Sequence, residues 1–449
     1  MSAANAAASA AASRGAALPE LKEKAAEVLH GVEEYLPELK EKAAELKHEV
    51  EARAAGLKMT AGAKVAALSE KLGPLGSRLK AVSKAVIERS VMEIEAQIEK
   101  VDPRYVTRED RAAKGTTVPG YHPDIDLTEA GCSPTDLEFY YNEVSANSLK
   151  TKVALAEAGL PFVYKHIALT HDGDFETKKK PFLTINPSGT LPVLVHEGHP
   201  VYDSTEQVKF IGERSARGLY PAGQKQLIDE WLHIGAMEGF FVGDDAVDHI
   251  FDSLGTCFPW ISIPMFLWDE AIRSKGELAR LVFTGRELAM ANLLLGYFGV
   301  RVYEDAVLTI GPKHNDNPFV QHNVWHSLRK GIESHLTHME SQLDASGGPF
   351  LCGAFSLADV SIVPFFQRAS ITLWLDELLP HFPVAAKWWD ACKARPAYEE
   401  WAPKYGGPNA PHMDVAAMQQ WIREQRASHP KFDAVYKGTY PEFTPEVAC

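Results

Sequence analysis

Cysteine is scarce in this chain of 449 residues, and no motif pairs one cysteine with another. The five cysteines stand far apart, and neither a CxxC pair nor a set of Cys and His residues at metal-ligand spacing occurs. This pattern argues against a disulfide scaffold and against a zinc module. We therefore expect no metal, and we expect a reducing compartment such as the cytoplasm.

Long apolar runs and basic clusters are missing as well. No stretch reaches the ~18–20 apolar residues that a membrane-spanning helix needs. The nearest are LAMANLLLGYFGV (288–300) and GTCFPWISIPMFLW (255–268), which we interpret as buried core or pocket wall. The 60 acidic residues outnumber the 46 Lys and Arg, giving a net charge of -14, which argues against a nucleic-acid partner.

The first 19 residues contain no acidic side chain and are rich in Ala and Ser, with a single Arg. This composition is compatible with a transit peptide for a plastid or a mitochondrion. A disordered tail has the same composition. The two interpretations place the protein in different compartments.

An internal repeat follows, in which LPELKEKAAE opens both residues 18–35 and residues 36–53. The spacing of 18 residues equals five helical turns, so we predict a helical extension over 20–105. Its apolar stripe is narrow and rich in Ala, which is typical of a weakly amphipathic helix. Residues 20–100 can bind a membrane surface or a protein partner, or they can form a solvated spacer.

The rest of the chain changes pattern twice. Residues 106–136 have no period and many Gly, Pro, Asp and Thr, which predicts a linker. Over 137–216 the order strand-helix-strand, then strand-strand-helix, with a proline opening the third strand, predicts a thioredoxin-like domain. Residues 217–410 are predicted to be helical, and 411–449 form a tail.

Three motifs in this order resemble a known family. SANSLKTKVALAEAGLPF (145–162) is similar to the first helix of serine-type glutathione S-transferases, and NPSGTLPVL (186–194) with YDSTEQ (202–207) is similar to their glutathione-binding signature. PFLCGAFSLADVSIVPF (349–365) resembles the buried helix of their second domain. From about residue 137 to 405 the chain thus resembles this superfamily, with a phi-, zeta- or theta-like site.

The resemblance implies an α+β fold, with a mixed four-stranded sheet and its helices followed by an all-helical domain. It also implies glutathione as co-substrate, a small hydrophobic electrophile as second substrate, and a homodimer. The ligand's cysteinyl backbone pairs with the residue before a cis proline, and its γ-glutamyl carboxylate lies at a helix N-terminus. The residues so implied for glutathione binding are Asn147, Lys178, Leu191, Pro192, Asp203 and Ser204. Their structural alternatives are a trans proline, a helix N-cap and a solvated lysine.

The thiol of glutathione must ionise near neutral pH before it can attack an electrophile. A hydrogen-bond donor at a helix N-terminus lowers the pKa of a thiol, which is about 8.5 in the free state. Ser145 holds the catalytic serine position by resemblance, with Tyr141 and Ser148 as alternatives, and it can also be a plain N-cap. Cysteine-type relatives carry Cys at this position, so thiol transfer and reductive dehalogenation are disfavoured.

Two further features concern the second domain. Ser356 and Asp359 resemble the family's capping box, which we assign to folding alone. The span from Ser204 to Asp359 is longer than in most relatives, which predicts an insert at about 235–315. Its aromatic residues can wall an apolar pocket for the electrophile, or they can enlarge the helical core.

The sequence leaves three functions open. The first is an enzyme that conjugates glutathione to apolar electrophiles or isomerises a substrate through a glutathione adduct. The second is a glutathione- or ligand-binding module without turnover. The third is a transferase-like structural subunit that its N-terminal helices dock to a membrane or a complex.

Overall fold

The computed structural model describes residues 103–113, 117–169, 176–236, 253–268, 324–428 and 430–439. The predictions for residues 1–19, for the repeat and for most of the insert fall outside these ranges. No helix among the described residues combines the length and the apolar character needed to cross a membrane.

A mixed sheet of five strands forms the first domain, in the order β1-β5-β4-β2-β3. Strands β2 and β3 run parallel, and the other neighbours are antiparallel. The strands are β1 (Gly120–Tyr121), β2 (Leu137–Tyr141), β3 (Val163–His166), β4 (Val193–His196) and β5 (His199–Tyr202).

The helices of the described residues are numbered here in chain order. They are α1 (Arg108–Ala113), α2 (Ala146–Ala158), α3 (Lys180–Ile185), α4 (Ser204–Arg214), α5 (Lys225–Ile234), α6 (Leu254–Ile261), α7 (Ile263–Trp268), α8 (Val324–Ser346), α9 (Leu357–Ile371), α10 (Trp374–Leu378), α11 (Pro383–Lys393), α12 (Tyr398–Trp401), α13 (Val415–Ser428) and α14 (Pro430–Lys437).

Alternation along β2 divides the hydrophobic side chains between the two faces of the sheet. Phe139 and Tyr141 join a large core that continues into the helical domain, whereas Tyr140 joins a smaller cluster on the opposite face. Helix α2 packs against both α4 and α9, which places this helix at the boundary between the domains. The thioredoxin-like and helical architecture expected from the sequence is confirmed.

The second domain is built around α9, nearly all of which is buried. Helices α2, α5 and α6 pack against it. Asp359 caps its first turn by accepting hydrogen bonds from the backbone N–H and the hydroxyl of Ser356, at 2.9 and 3.2 Å. This is the capping box that the sequence predicts.

The sheet has one strand more than the four expected, and the extra strand comes from the predicted linker. β1 pairs with the edge strand β5, and Leu127 and Cys132 fill the small cluster beneath the sheet. Tyr105 and Val106 are buried as well. Residues 106–136 are thus largely part of the first domain. The sequence predicts a linker here because a two-residue strand and a few spaced apolar side chains leave no periodic pattern.

Candidate functional site

Ser145 lies in the turn that joins β2 to α2. Its backbone is extended, and its hydroxyl oxygen accepts a hydrogen bond of 3.2 Å from the Ser148 N–H, so it is the N-cap of α2. No described residue accepts a hydrogen bond from the hydroxyl of Ser145. The capping role and a donor role for this hydroxyl are therefore compatible.

The turn before Ser145 is held mainly through Asn142. The side-chain oxygen of Asn142 accepts from the Val144 N–H at 3.0 Å, and its backbone oxygen accepts from the Ser145 N–H at 3.2 Å. The Asn142 N–H in turn donates to the hydroxyl of Ser148 at 3.3 Å. Ser148 is buried and supports the turn from within, while Asn147 is partly exposed beside it.

A second helix N-terminus is formed at Asp203 and Ser204. Asp203 caps α4, since its Oδ1 accepts from the N–H groups of Thr205 and Glu206 at 2.7 and 3.2 Å. The backbone of Asp203 has a φ of 69°, a region that non-glycine residues adopt only when surrounding contacts hold them there. Ser204, the first residue of the helix, is buried.

Gln207 and Thr151 connect these two helix ends with Pro192. The side-chain nitrogen of Gln207 donates to the carbonyl oxygens of Pro192 and Val201 at 3.0 and 2.9 Å. Its side-chain oxygen accepts from the Thr151 hydroxyl of α2 at 2.9 Å. The Leu191–Pro192 peptide bond is cis, as the sequence predicts. One buried amide therefore joins the first half of α2, the Leu191–Pro192 segment and the first half of α4.

Lys178 joins this group through the loop NPSG. Its ammonium donates a hydrogen bond of 2.6 Å to the carbonyl oxygen of Gly189, two residues before Leu191. A Cβ on Gly189 would lie 2.7 Å from the carbonyl oxygen of Thr177, and the φ of this residue is 61°, so the loop needs glycine here. Burial and the nearby Arg111 lower the pKa of Lys178 to about 7.

Tyr141 points into the large core instead. Its hydroxyl donates to Glu143 at 3.4 Å and accepts from the side-chain nitrogen of Asn409 at 3.0 Å. Burial, reinforced by the charge of Glu143, raises the pKa of Tyr141 to about 12. The contact with Asn409 joins the tyrosine hydroxyl to the segment that follows α12.

A small, partly open cavity lies beside the N-terminus of α2. Ala146, Asn147 and Lys150 line it from the first domain. Its remaining lining residues come from the second domain and are Gly235, Gly255, Phe258, Ser361, Pro364 and Phe365. Phe258 belongs to the aromatic segment of the predicted insert, so part of that segment does form the wall of a cavity between the domains.

Asp359 lies within the helical domain, where both of its oxygens are engaged. Oδ1 accepts from the Leu351 N–H at 3.0 Å and from the indole N–H of Trp388 at 2.8 Å. Burial raises the pKa of Asp359 to about 6. Its contacts with three separate segments indicate a structural role, together with Ser356.

Two features of the site lie outside the sequence prediction. The segment before β1 touches the loop that carries Gly189, because the N–H of Thr117 donates to the hydroxyl of Ser188 at 2.8 Å. Arg368 of α9 reaches the carbonyl oxygen of Val144 at 2.7 Å. No local pattern in the sequence indicates either contact. Gln207, which joins α2 to Pro192, is also not predicted as a site residue, although it lies within the motif YDSTEQ. Among the described residues, no three His, Cys, Asp or Glu side chains are placed to hold a metal.

Comparisons with known proteins agree on one family. The family model for the N-terminal domain of glutathione S-transferases matches residues 144–214, and the model for their C-terminal domain matches residues 312–402. Glutathione S-transferase TCHQD of Arabidopsis thaliana is 23% identical over 273 residues, which cover 60% of this chain and 90% of that protein.

Solved structures of the same kind were also found. Glutathione transferase F7 from Populus trichocarpa is 19% identical, with a TM-score of 0.38, covering 59% of this chain and 97% of its own. A glutathione transferase family member from Pseudomonas fluorescens, solved with two glutathione bound, is 14% identical, with a TM-score of 0.40, covering 62% of this chain and 99% of its own.

Proposed function

The chain belongs to the glutathione S-transferase superfamily, and from this premise we propose that it is a transferase that activates the thiol of glutathione with the hydroxyl of Ser145. The second substrate is a small apolar electrophile. The observation that carries the proposal is the geometry of Ser145, which caps α2 through its oxygen. Its O–H remains able to donate to a thiolate at the positive end of the helix dipole.

Glutathione is bound along the segment that ends at Leu191–Pro192. The γ-glutamyl carboxylate is held at the N-terminus of α4 by the N–H and hydroxyl of Ser204. The ligand amine is held by Asp203, whose Oδ2 accepts no hydrogen bond from the described residues. The backbone of Leu191 pairs with the cysteinyl unit of the ligand, and Lys178 takes the glycyl carboxylate. Asn147 lies beside the thiol.

The reaction needs only groups that glutathione and the electrophile supply. The thiol releases its proton to solvent, and the sulfur lone pair forms a carbon–sulfur bond with the electrophile. A leaving group departs with the bonding electrons, or, in an addition, the neighbouring carbon takes up a proton from solvent. Ser145 favours this course by stabilising the thiolate, and Phe258, Pro364 and Phe365 offer the electrophile an apolar wall.

The competing donor, Tyr141, is less suited to the task. Its hydroxyl is buried and already hydrogen-bonded to Glu143 and Asn409. To donate to a thiolate, the Tyr141 hydroxyl would have to leave both partners. The side chains of Glu143 and Asn409 would then each lose a hydrogen bond in the protein interior. Ser148 is less suited as well, because it is buried beneath the turn, where its hydroxyl accepts from the Asn142 N–H.

The test is the ultraviolet absorbance of the glutathione thiolate, titrated against pH on the wild-type protein, on Ser145→Ala and on Ser145→Thr. We expect the bound thiol to ionise well below the pH at which free glutathione does. Ser145→Ala should restore the free value, whereas Ser145→Thr, which keeps a hydroxyl, should retain most of the shift. Tyr141→Phe is the matched control and should leave the shift in place.

Three outcomes would contradict the proposal in different ways. Glutathione that binds with an unshifted thiol would identify a binding module without this activation. A protein that does not bind glutathione would favour a structural subunit, and residues 20–100 would then be the first place to search for a partner. A shift that is lost in Tyr141→Phe would assign the donor role to the tyrosine.

A further inference from the structure

Arg368 is a buried cation that crosses the boundary between the two domains. Its Nη2 donates a hydrogen bond of 2.7 Å to the backbone carbonyl oxygen of Val144. Its Nη1 donates to the hydroxyl of Ser262 at 3.0 Å and lies 3.2 Å from the sulfur of Met265. The guanidinium carbon is 4.6 Å from the centre of the Phe258 ring. One side chain thus joins α9, the α6–α7 segment and the turn before α2.

The charge of Arg368 is not balanced by a carboxylate among the described residues. Its further polar neighbour is the hydroxyl of Tyr405, and the nearby Glu143 is paired with Lys152 at 3.1 Å. Burial lowers the pKa of Arg368. Replacing a buried charge by an apolar side chain of similar volume is often neutral or stabilising, so packing alone gives no reason for an arginine here.

The group that Arg368 holds is the peptide next to Ser145. Within the turn, Asn142 accepts from the N–H groups of Val144 and Ser145, and the side chain of Glu143 accepts from the Lys404 N–H of the helical domain at 3.3 Å. The carbonyl oxygen of Val144 is bound from the opposite side, by the helical domain. Since rotation of this peptide would turn both the N–H and the side chain of Ser145, the bond from Arg368 restrains the direction of the serine hydroxyl.

We infer that Arg368 is a positioning residue for Ser145, and that through it the helical domain sets the geometry in which glutathione is activated. The inference rests on the proposed function, because it gives Ser145 the role of thiolate donor. Arg368 also touches Phe258, which lines the cavity proposed for the electrophile. The same side chain therefore connects the wall of that cavity to the hydroxyl that acts on the thiol.

The test uses the full-length protein and two substitutions of Arg368. Arg368→Met fills the space without charge or hydrogen bonds, and Arg368→Lys keeps the charge but has one nitrogen in place of the two that bind Val144 and Ser262. In Arg368→Met we expect the KM for glutathione to change less than about threefold, while kcat falls roughly tenfold or more. The pH at which the bound thiol ionises should move toward the value of free glutathione. Arg368→Lys should show a smaller shift in the same direction.

A second measurement does not depend on glutathione. Hydrogen exchange of the apo protein, followed by mass spectrometry, reports on the amides of residues 142–149. Exchange in this peptide should become faster in Arg368→Met, because the carbonyl oxygen of Val144 loses its bond from Arg368. If the wild-type protein fails to shift the thiol yet Arg368→Met loosens the turn, the positioning inference stands and the proposed function fails.

Arg426→Met is the control for loss of an arginine from the same domain. Arg426 is bound by Glu377 and Asp433, and among the described residues no hydrogen bond or ion pair joins it to the turn before α2. This variant should lower stability but leave both the thiol titration and the exchange of residues 142–149 as in the wild type. The inference is overturned if Arg368→Met is folded and both of these readouts match the wild type.

Discussion

The guanidinium of Arg395 binds the carboxylate of Glu157 through two hydrogen bonds, of 2.7 and 2.6 Å, across the domain boundary. Glu157 stands near the end of α2, and its side chain is only 2% exposed. The indole N–H of Trp401 adds a third donor at 3.3 Å. Arg368 binds the turn before α2, and Arg395 binds the last turn of α2. The helical domain therefore contacts this helix at both ends.

Glu157→Gln should lower the free energy of unfolding by about 3 kcal/mol, because it leaves Arg395 without its counter-charge in a mostly buried place. Urea denaturation measures the loss. Glu213→Gln is the control, since Glu213 forms an exposed ion pair with Lys225 and should change stability by less than about 1 kcal/mol. Equal losses in the two variants would contradict a special role for the Glu157–Arg395 pair.

Asp359→Asn should destabilise the protein by about 2 kcal/mol at pH 7. The amide nitrogen would face a hydrogen-bond donor where the wild-type carboxylate presents an acceptor oxygen. Folding raises the pKa of Asp359 to about 6, from 3.8, so the folded state binds a proton more tightly than the unfolded state. The resulting stabilisation of the wild type is complete below pH ~4 and is lost as the pH rises through 6.

The comparison of wild type and Asp359→Asn therefore has a defined pH dependence. The stability difference between them should widen as the pH is lowered from 6 to 4. Urea denaturation at several pH values checks this, with Ser356→Ala as a variant that removes one bond to Asp359 but keeps its carboxylate. A difference that narrows toward acid pH would show that the folded protein does not favour the protonated carboxyl.

Lys178 should make glutathione binding sensitive to pH near neutrality. Its pKa is lowered to about 7, so the ammonium that would bind the glycyl carboxylate loses its proton as the pH rises. The affinity for S-methylglutathione, which has no thiol to titrate, should fall on the order of tenfold between pH 7 and 8.5. Isothermal titration calorimetry gives the affinity at each pH.

Lys178→Arg and Lys178→Met sharpen this experiment. The guanidinium remains charged throughout this pH range, so Lys178→Arg should bind with little dependence on pH. Lys178→Met should bind weakly at every pH. If the wild type and Lys178→Arg show the same pH profile, the Lys178 ammonium does not bind the glycyl carboxylate of the ligand.

Asp203 allows its backbone role to be separated from its charge. Asp203→Gly should be more stable than Asp203→Ala by about 1–2 kcal/mol, because glycine adopts a φ near +69° without strain and alanine does not. Asp203→Asn keeps a capping oxygen and should be close to wild type in stability. It should nevertheless bind glutathione more weakly, because the ligand amine loses its counter-charge.

Thermal or urea unfolding and calorimetric binding measure the two properties of these Asp203 variants independently. Asp203→Asn is the decisive one. Wild-type affinity in this variant would remove the amine contact from the proposed site. A large loss of stability would mean that Asp203 contributes more to α4 than its cap.

Sequence patterns located those parts of the site that depend on neighbouring residues. Ser145, Asp203 and Ser356 are recognisable as caps because a polar side chain precedes a helical period, and Pro192 is recognisable from its flanking motif. Contacts between distant segments leave no such trace. Arg368 and Val144 are 224 positions apart, and Arg395 and Glu157 are 238 apart.

The missed strand shows the same limit at short range. Gly120–Tyr121 is too brief for an alternating pattern, and its partner strand β5 begins 78 residues later. The Gly- and Pro-rich residues around it are typical of a linker. The pairing of β1 with β5 depends on the free backbone groups at the edge of the folded sheet, which no local pattern reports.

β1 also decides what can join the sheet from outside. An edge strand offers unpaired backbone groups to any other extended chain, and proteins protect such edges with charge or with a covering segment. At the β3 edge this chain places Lys165, partly exposed and paired with Glu138; at the β5 edge it places β1. A fragment that begins at Leu137 would retain every residue of the proposed glutathione site, yet it would expose β5 to strand addition. Self-association of such a fragment would therefore reflect an opened edge and not the natural assembly of the protein.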